Sequence, residues 1–170
     1  MRHHGNHLSH HYLKPGEMFI AQKPTIVTTL LGSCVAVTMF HPQRRIGAIC
    51  HGLLPSCRDN DASKCDRNCL VGFKYMDCSI RRMLEQFNAL GIYHSELEIK
   101  VFGGSDMFGV PEVNGQRMTI GKQNVTVTKR ILEEAGLLVQ AADIGGQQGR
   151  KIYFYTHTGE ILLKRLNNRP

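Results

Sequence analysis

Thr25-Ile26-Val27-Thr28-Thr29-Leu30-Leu31-Gly32-Ser33-Cys34-Val35-Ala36-Val37-Thr38-Met39-Phe40 reads as two strand-forming runs separated by a Gly-Ser-Cys step. Branching at Cβ stiffens Ile, Val and Thr and suits them to a pleated surface, so both runs are predicted strands. His41-Pro42-Gln43 makes a turn, and Arg45 to His51 forms the next strand before Pro55 ends it. If these last two strands pair as an antiparallel hairpin, the start of the first lies beside the end of the second. Working outward, Met18-Phe19-Ile20 is a short apolar strand. Phe73, Met76, Ile80, Met83, Leu84, Phe87 and Leu90 recur at helical spacing, with Gly91 as the stop. Glu96 to Phe102 alternates as a strand and runs into Gly103-Gly104. A second helix is predicted over Asn124 to Ala135, then a strand over Leu137 to Ala142. Lys151 to Tyr155 and Glu160 to Leu166 form a hairpin around His157-Thr158-Gly159. Strands and helices do not alternate regularly, which argues against a doubly wound parallel sheet. The expected class is α+β, with mixed, mostly antiparallel strands in layers and helices packed outside.

The chain has 170 residues, with 42% hydrophobic and 21% charged residues, ordinary values for one globular domain. Nothing in it approaches the run of about 18 apolar residues that spans a bilayer. Met1-Arg2 leads into polar sequence rather than an apolar signal segment, so a cytoplasmic location without membrane insertion is expected. Five histidines, His3, His4, His7, His10 and His11, mark residues 1–13 as a flexible arm ahead of a single domain over 14–170. The net charge of +7 favours an acidic partner. The basic residues are dispersed and carry no aromatic-basic cassette, so an acidic protein is expected and nucleic acid is not.

Six cysteines stand at 34, 50, 57, 65, 69 and 78. In a reducing compartment they are thiols, metal ligands or a nucleophile rather than a disulfide framework. Cys34 follows Gly32-Ser33 at a break between strands, where a tight turn exposes a thiol and backbone N–H groups can face a developing oxyanion. His51 becomes its neighbour through the hairpin and is the candidate base. A third residue must orient the imidazole. Thr28, in the preceding strand, has a hydroxyl and a carbonyl for that task, and Thr25, Thr29 and Asp106 compete for it. Cys57, Cys65 and Cys69 share the polar loop of residues 56–70. With Cys50 or Cys78 they offer an alternative, a metal-binding regulatory module, but no C-x2-C knuckle is present and free loop thiols are expected. A papain-like protease is disfavoured because Cys34 opens a strand rather than a helix.

Residues 28–37, Thr-Thr-Leu-Leu-Gly-Ser-Cys-Val-Ala-Val, with Ile46-Gly47-Ala48 and His51-Gly52-Leu53-Leu54-Pro55, resemble the signature of CheD, the chemoreceptor glutamine deamidase family of bacterial and archaeal chemotaxis. Lys74-Tyr75-Met76-Asp77, residues 100–108, residues 120–124 and residues 143–151 resemble its later blocks, so the likeness covers roughly residues 14–166. It implies Cys34 as nucleophile, His51 as general base and Thr28 as the orienting residue. It implies a layered α/β sandwich similar to the catalytic domain of the cytotoxic necrotizing factor toxins. The implied substrate is a glutamine side chain on methyl-accepting chemotaxis receptors, and the implied partner is the phosphatase CheC where the organism has one. No cofactor is implied, and a monomer is expected. The rival is a non-catalytic adaptor that acts by binding CheC or receptors. Gln123, where the family usually has arginine, and the extra cysteines depart from its pattern.

Overall fold

A computed structural model describes residues 8–57, 72–107 and 118–167. Nine strands and two α-helices are seen among them: β1 (Ser9–Tyr12), β2 (Met18–Ile20), β3 (Thr25–Leu31), β4 (Val35–His41), β5 (Ile46–Gly52), α1 (Met76–Ala89), β6 (Glu98–Gly103), α2 (Ile120–Glu134), β7 (Val139–Ile144), β8 (Arg150–Tyr155) and β9 (Glu160–Arg165). They form a four-stranded sheet in the order β1-β3-β8-β9 and a five-stranded sheet in the order β2-β5-β4-β6-β7. Only β1–β3 and β6–β7 pair in parallel; the other pairings are antiparallel. The α+β class and the mixed, mostly antiparallel layers agree with the expectation.

Side-chain alternation builds three layers. In β4, Val35, Val37 and Met39 join Ala48 and Cys50 of β5 and Met76, Ile80, Met83 and Phe87 of α1 in one apolar core. Ala36 of the same strand joins Ile49, Phe102, Val27, Leu31, Ile152 and Phe154 in a second core between the sheets. The five-stranded sheet is thus covered on both faces, which is why β4 reads as a continuous run of buried residues. The four-stranded sheet is covered on one face only, and its strands alternate.

Several boundaries differ from the expectation. The flexible arm expected through residue 13 gives way to β1 at Ser9, which pairs with β3, and Leu13 is fully buried. Backbone pairing uses no side-chain chemistry, so a His-rich composition does not prevent it. Residues 1–7 of that arm lie outside the described residues. The first helix begins at Met76, after a 3-10 turn over Gly72–Lys74. The second begins four residues before Asn124 because Thr119 is its N-cap, its hydroxyl accepting from the Lys122 N–H at 3.3 Å. From residue 58, the expected loop lies outside the described residues, with Cys65 and Cys69.

The junction of β3 and β4 is fixed from behind by the Gly-Gly step that ends β6. Gly103 has φ +106°, and a Cβ there would sit 2.2 Å from the Cys34 carbonyl oxygen. Both the backbone region and the space therefore demand glycine. Gly91 also has a positive φ, +70°, but a Cβ there meets nothing within 4 Å. Gly103→Ala is expected to cost more than about 2 kcal/mol of folding stability, and Gly91→Ala no more than about 1 kcal/mol. Denaturant titration of both variants checks the difference.

Candidate active site

The predicted hairpin brings the start of β4 to the end of β5: Val35 faces Gly52 and Ala36 faces His51. Cys34 is two residues before Ala36, on the same face, and packs against the inter-sheet core. His51 projects from that face as well, being in step with Ile49 of the same core. The thiol and the imidazole thus share the layer between the sheets, in diagonal positions across the β4–β5 pair. Backbone bonds hold β5 on its other side, since the His51 N–H donates to the Glu17 carbonyl at 3.0 Å and the His51 carbonyl accepts from the Gly16 N–H at 2.8 Å.

The imidazole's partner comes from the facing sheet, and it is Thr29 rather than Thr28. The Thr29 Oγ1 and His51 Nδ1 are 2.7 Å apart, and the Thr29 hydroxyl donates to the Leu13 carbonyl at 2.8 Å. Thr29 has one hydroxyl proton, and Leu13 takes it. Its oxygen must therefore accept from Nδ1–H, and this leaves His51 Nε2 without a proton. Nε2 is buried and has no hydrogen-bond partner among the described residues. In β3, Thr25, Val27, Thr29 and Leu31 are buried toward the other sheet, whereas Thr28 alternates to the opposite face. Its carbonyl accepts from the Leu13 N–H at 2.9 Å. The other competitors are engaged elsewhere. The Thr25 hydroxyl donates to the Lys23 carbonyl, and Asp106 accepts from the Thr119 hydroxyl and pairs with Lys122.

Burial sets the charge state of both groups. It lowers the His51 pKa to about 4, with only a partial opposing pull from Glu17, so the ring is neutral near pH 7. It raises the Cys34 pKa, partly offset by the residue's own backbone N–H beside the sulfur. The resting pair is a neutral thiol and a neutral imidazole, not an ion pair. Unfolded histidine titrates near about 6.5, so the unfolded chain binds the His51 proton more readily than the folded one. This contribution to stability is therefore complete above about pH 6.5 and is lost as pH falls toward about 4. Cys50, next in sequence to His51, points into the helix-side core, and its pKa is pushed up to about 12 by burial.

The Gly32-Ser33-Cys34 turn is held by its carbonyls. Gly32 C=O accepts from both the N–H and the hydroxyl of Ser105, at 2.9 and 2.8 Å. Ser33 C=O accepts from Asn124 Nδ2 at 3.0 Å, and Cys34 C=O from the Gly104 N–H at 2.8 Å. Ser105 and Asn124 were not among the sequence candidates. The signal available for them is slight: a serine after a Gly-Gly step, and an asparagine in the interior of a helix, where its propensity is poor. Among the described residues, no cluster of three or more His, Cys, Asp or Glu side chains is placed to hold a metal ion.

Thr29→Val should therefore lower kcat by about 100-fold, since the ring loses the acceptor that fixes its tautomer. Thr28→Val should stay within about twofold, because its side chain faces away from the imidazole. Steady-state kinetics of the two variants check this contrast.

The family model described as CheD chemotactic sensory transduction matches residues 53–165. A Geobacter sulfurreducens protein named probable chemoreceptor glutamine deamidase CheD 2 is 52% identical over 160 residues, covering 94% of this chain and 92% of that protein. Proteins named probable chemoreceptor glutamine deamidase CheD from Maridesulfovibrio salexigens and the archaeon Thermococcus kodakarensis are 37% and 34% identical, and each alignment covers at least 90% of both chains. With the family model and full-length relatives in agreement, the chain belongs to the CheD family.

Proposed function

We propose that this chain hydrolyses glutamine side chains of chemotaxis receptors to glutamate, with Cys34 as nucleophile, His51 as base and acid, and Thr29 as the residue that orients the ring. The observation that carries this reading is the proton chain from His51 Nδ1–H through the Thr29 hydroxyl to the Leu13 carbonyl, which leaves Nε2 bare in the layer that holds the thiol. A buried nitrogen with no partner costs free energy, and such atoms persist where function requires them.

The steps follow from these roles. His51 Nε2 takes the Cys34 proton as the sulfur attacks the carboxamide carbon. The S–C bond forms, and the carbonyl electron pair moves onto oxygen, where amides of the turn receive the charge. The imidazolium, stabilised through Nδ1–H by Thr29, then protonates the nitrogen. The C–N bond breaks, ammonia leaves and a thioester remains. His51 next removes a proton from water, which attacks the thioester carbon. The S–C bond breaks, releasing glutamate and restoring the thiol. The resting thiol need not be ionised, because the proton moves as the nucleophile attacks.

The substrates are the chemotaxis receptors. The phosphatase CheC is a partner where the organism has one, and the chain works as a cytoplasmic monomer. The dependence on a reduced Cys34 fits a reducing compartment, and the charge of +7 suits acidic protein surfaces.

Cys34→Ala should abolish the amide-to-acid mass change on a receptor cytoplasmic fragment, while Cys57→Ser keeps most of it. For the unaltered protein, kcat/KM should hold from about pH 7 down to about pH 5 and fall as His51 gains its proton near about pH 4. An acid limb centred at about 6.5, the value of an ordinary histidine, would contradict the buried neutral base.

A further inference from the structure

Asn124 is fully buried in the first half of α2. Its Nδ2 donates one hydrogen to the Ser33 carbonyl at 3.0 Å and the other to the Leu53 carbonyl at 2.9 Å. Ser33 immediately precedes the nucleophile, and Leu53 is two residues beyond the base. One carboxamide thus ties together the backbone on which both reacting groups stand, using all of its donor capacity. The helix that carries it is seated closely. A Cβ on Gly121 would lie 2.7 Å from the carbonyl oxygens of Gly104 and Ser105, in the segment that also donates to Gly32 and Cys34.

Asn124 stands behind the site rather than in it. Val35 faces the helices, while Cys34 and His51 face the other sheet, so the carboxamide acts on the backbone from the side opposite the thiol. The Ser33 carbonyl and the Cys34 N–H belong to one peptide unit. A trans peptide is planar, and its C=O and N–H point in opposite directions. A carbonyl held toward α2 therefore turns the Cys34 N–H away from α2, toward the thiol's side of the sheet.

We propose that Asn124 is a positioning residue that aims the Cys34 N–H at the oxyanion formed when the thiol attacks a carbonyl carbon. This rests on the reading of Cys34 as nucleophile. Losing the two donated bonds frees the Ser33–Cys34 peptide to rotate, and the oxyanion loses its donor while thiol and imidazole stay in place. Thr128, one turn along α2, is also fully buried, but its hydroxyl has no partner among the described residues and reaches neither carbonyl, so it is the natural control.

The test compares two reactions of Cys34. p-Nitrophenyl acetate acylates a thiol through a tetrahedral oxyanion; iodoacetamide alkylates it by direct displacement at a saturated carbon, with none. Asn124→Ala and the similarly sized Asn124→Leu, whose side chain cannot donate, should slow acylation by about 100-fold. Alkylation should stay within about twofold of the unaltered protein, and Thr128→Val should leave both rates unchanged. Acylation and alkylation falling together would make Asn124 a general structural residue and overturn the proposal, as would acylation that does not fall. Should the Asn124 variants fail to fold, the unaltered protein decides. A peptide with an aldehyde in place of the glutamine carboxamide should add to Cys34 and move the Cys34 amide proton downfield, and no such movement overturns the proposal. Failure of the unaltered protein to deamidate receptor fragments, with the acylation pattern intact, would remove the substrate assignment and leave the role of Asn124 standing.

Discussion

With Ala36 opposite His51, the register of β4 against β5 decides where every side chain of the central sheet points. Strand side chains alternate, so a slip of one residue would exchange the two faces. Val35, Val37, Ala48 and Cys50 would leave the helix-side core, and Ala36 and Ile49 would leave the core between the sheets. The imidazole would turn with them, away from Thr29. Apolar packing on both faces therefore holds the same register that the site requires. The hydrophobic burial of a whole layer stabilises one orientation of a single ring.

The chemistry then depends on few polar atoms in an apolar layer. Burial keeps His51 neutral and the Cys34 thiol protonated, which suits the proposed role of His51 as a base that takes a proton only when the substrate arrives. A hydroxyl with one proton, committed to Leu13, is enough to choose the tautomer. On the far side of β4, Ser105, Gly104 and Asn124 occupy the three carbonyls of the nucleophile turn, so its peptide planes cannot rotate freely. The division is spatial: Cys34 and His51, the proposed reacting groups, lie between the sheets, and the groups that hold the turn lie toward the helices.

Much of this is legible in the chain itself. The β-branched runs on either side of Gly32-Ser33-Cys34, and the turn at His41-Pro42-Gln43, suffice to predict that the start of β4 meets the end of β5. The orienting threonine is not legible, for a physical reason. β3 and β4 belong to different sheets, and the turn between them breaks the two-residue alternation. Counting back from Cys34 therefore cannot say whether Thr28 or Thr29 faces inward; only the packing of Val27 and Leu31 beside Thr29 does. β1 is hidden because its pairing is made by backbone, beneath a sequence that reads as a polar tail. Asn124 is hidden because its partners, Ser33 and Leu53, are more than seventy residues away along the chain.

The central claim is that the Leu13–Thr29–His51 chain holds the imidazole with its proton on Nδ1 and Nε2 free to act. Nitrogen-15 NMR of the protein with labelled histidine at neutral pH reads this directly. The expected spectrum is that of a neutral His51 ring with a protonated Nδ1 and an unprotonated Nε2, with loss of that fixed tautomer in Thr29→Val. A His51 ring protonated on Nε2, or a tautomer indifferent to the Thr29 substitution, would contradict it.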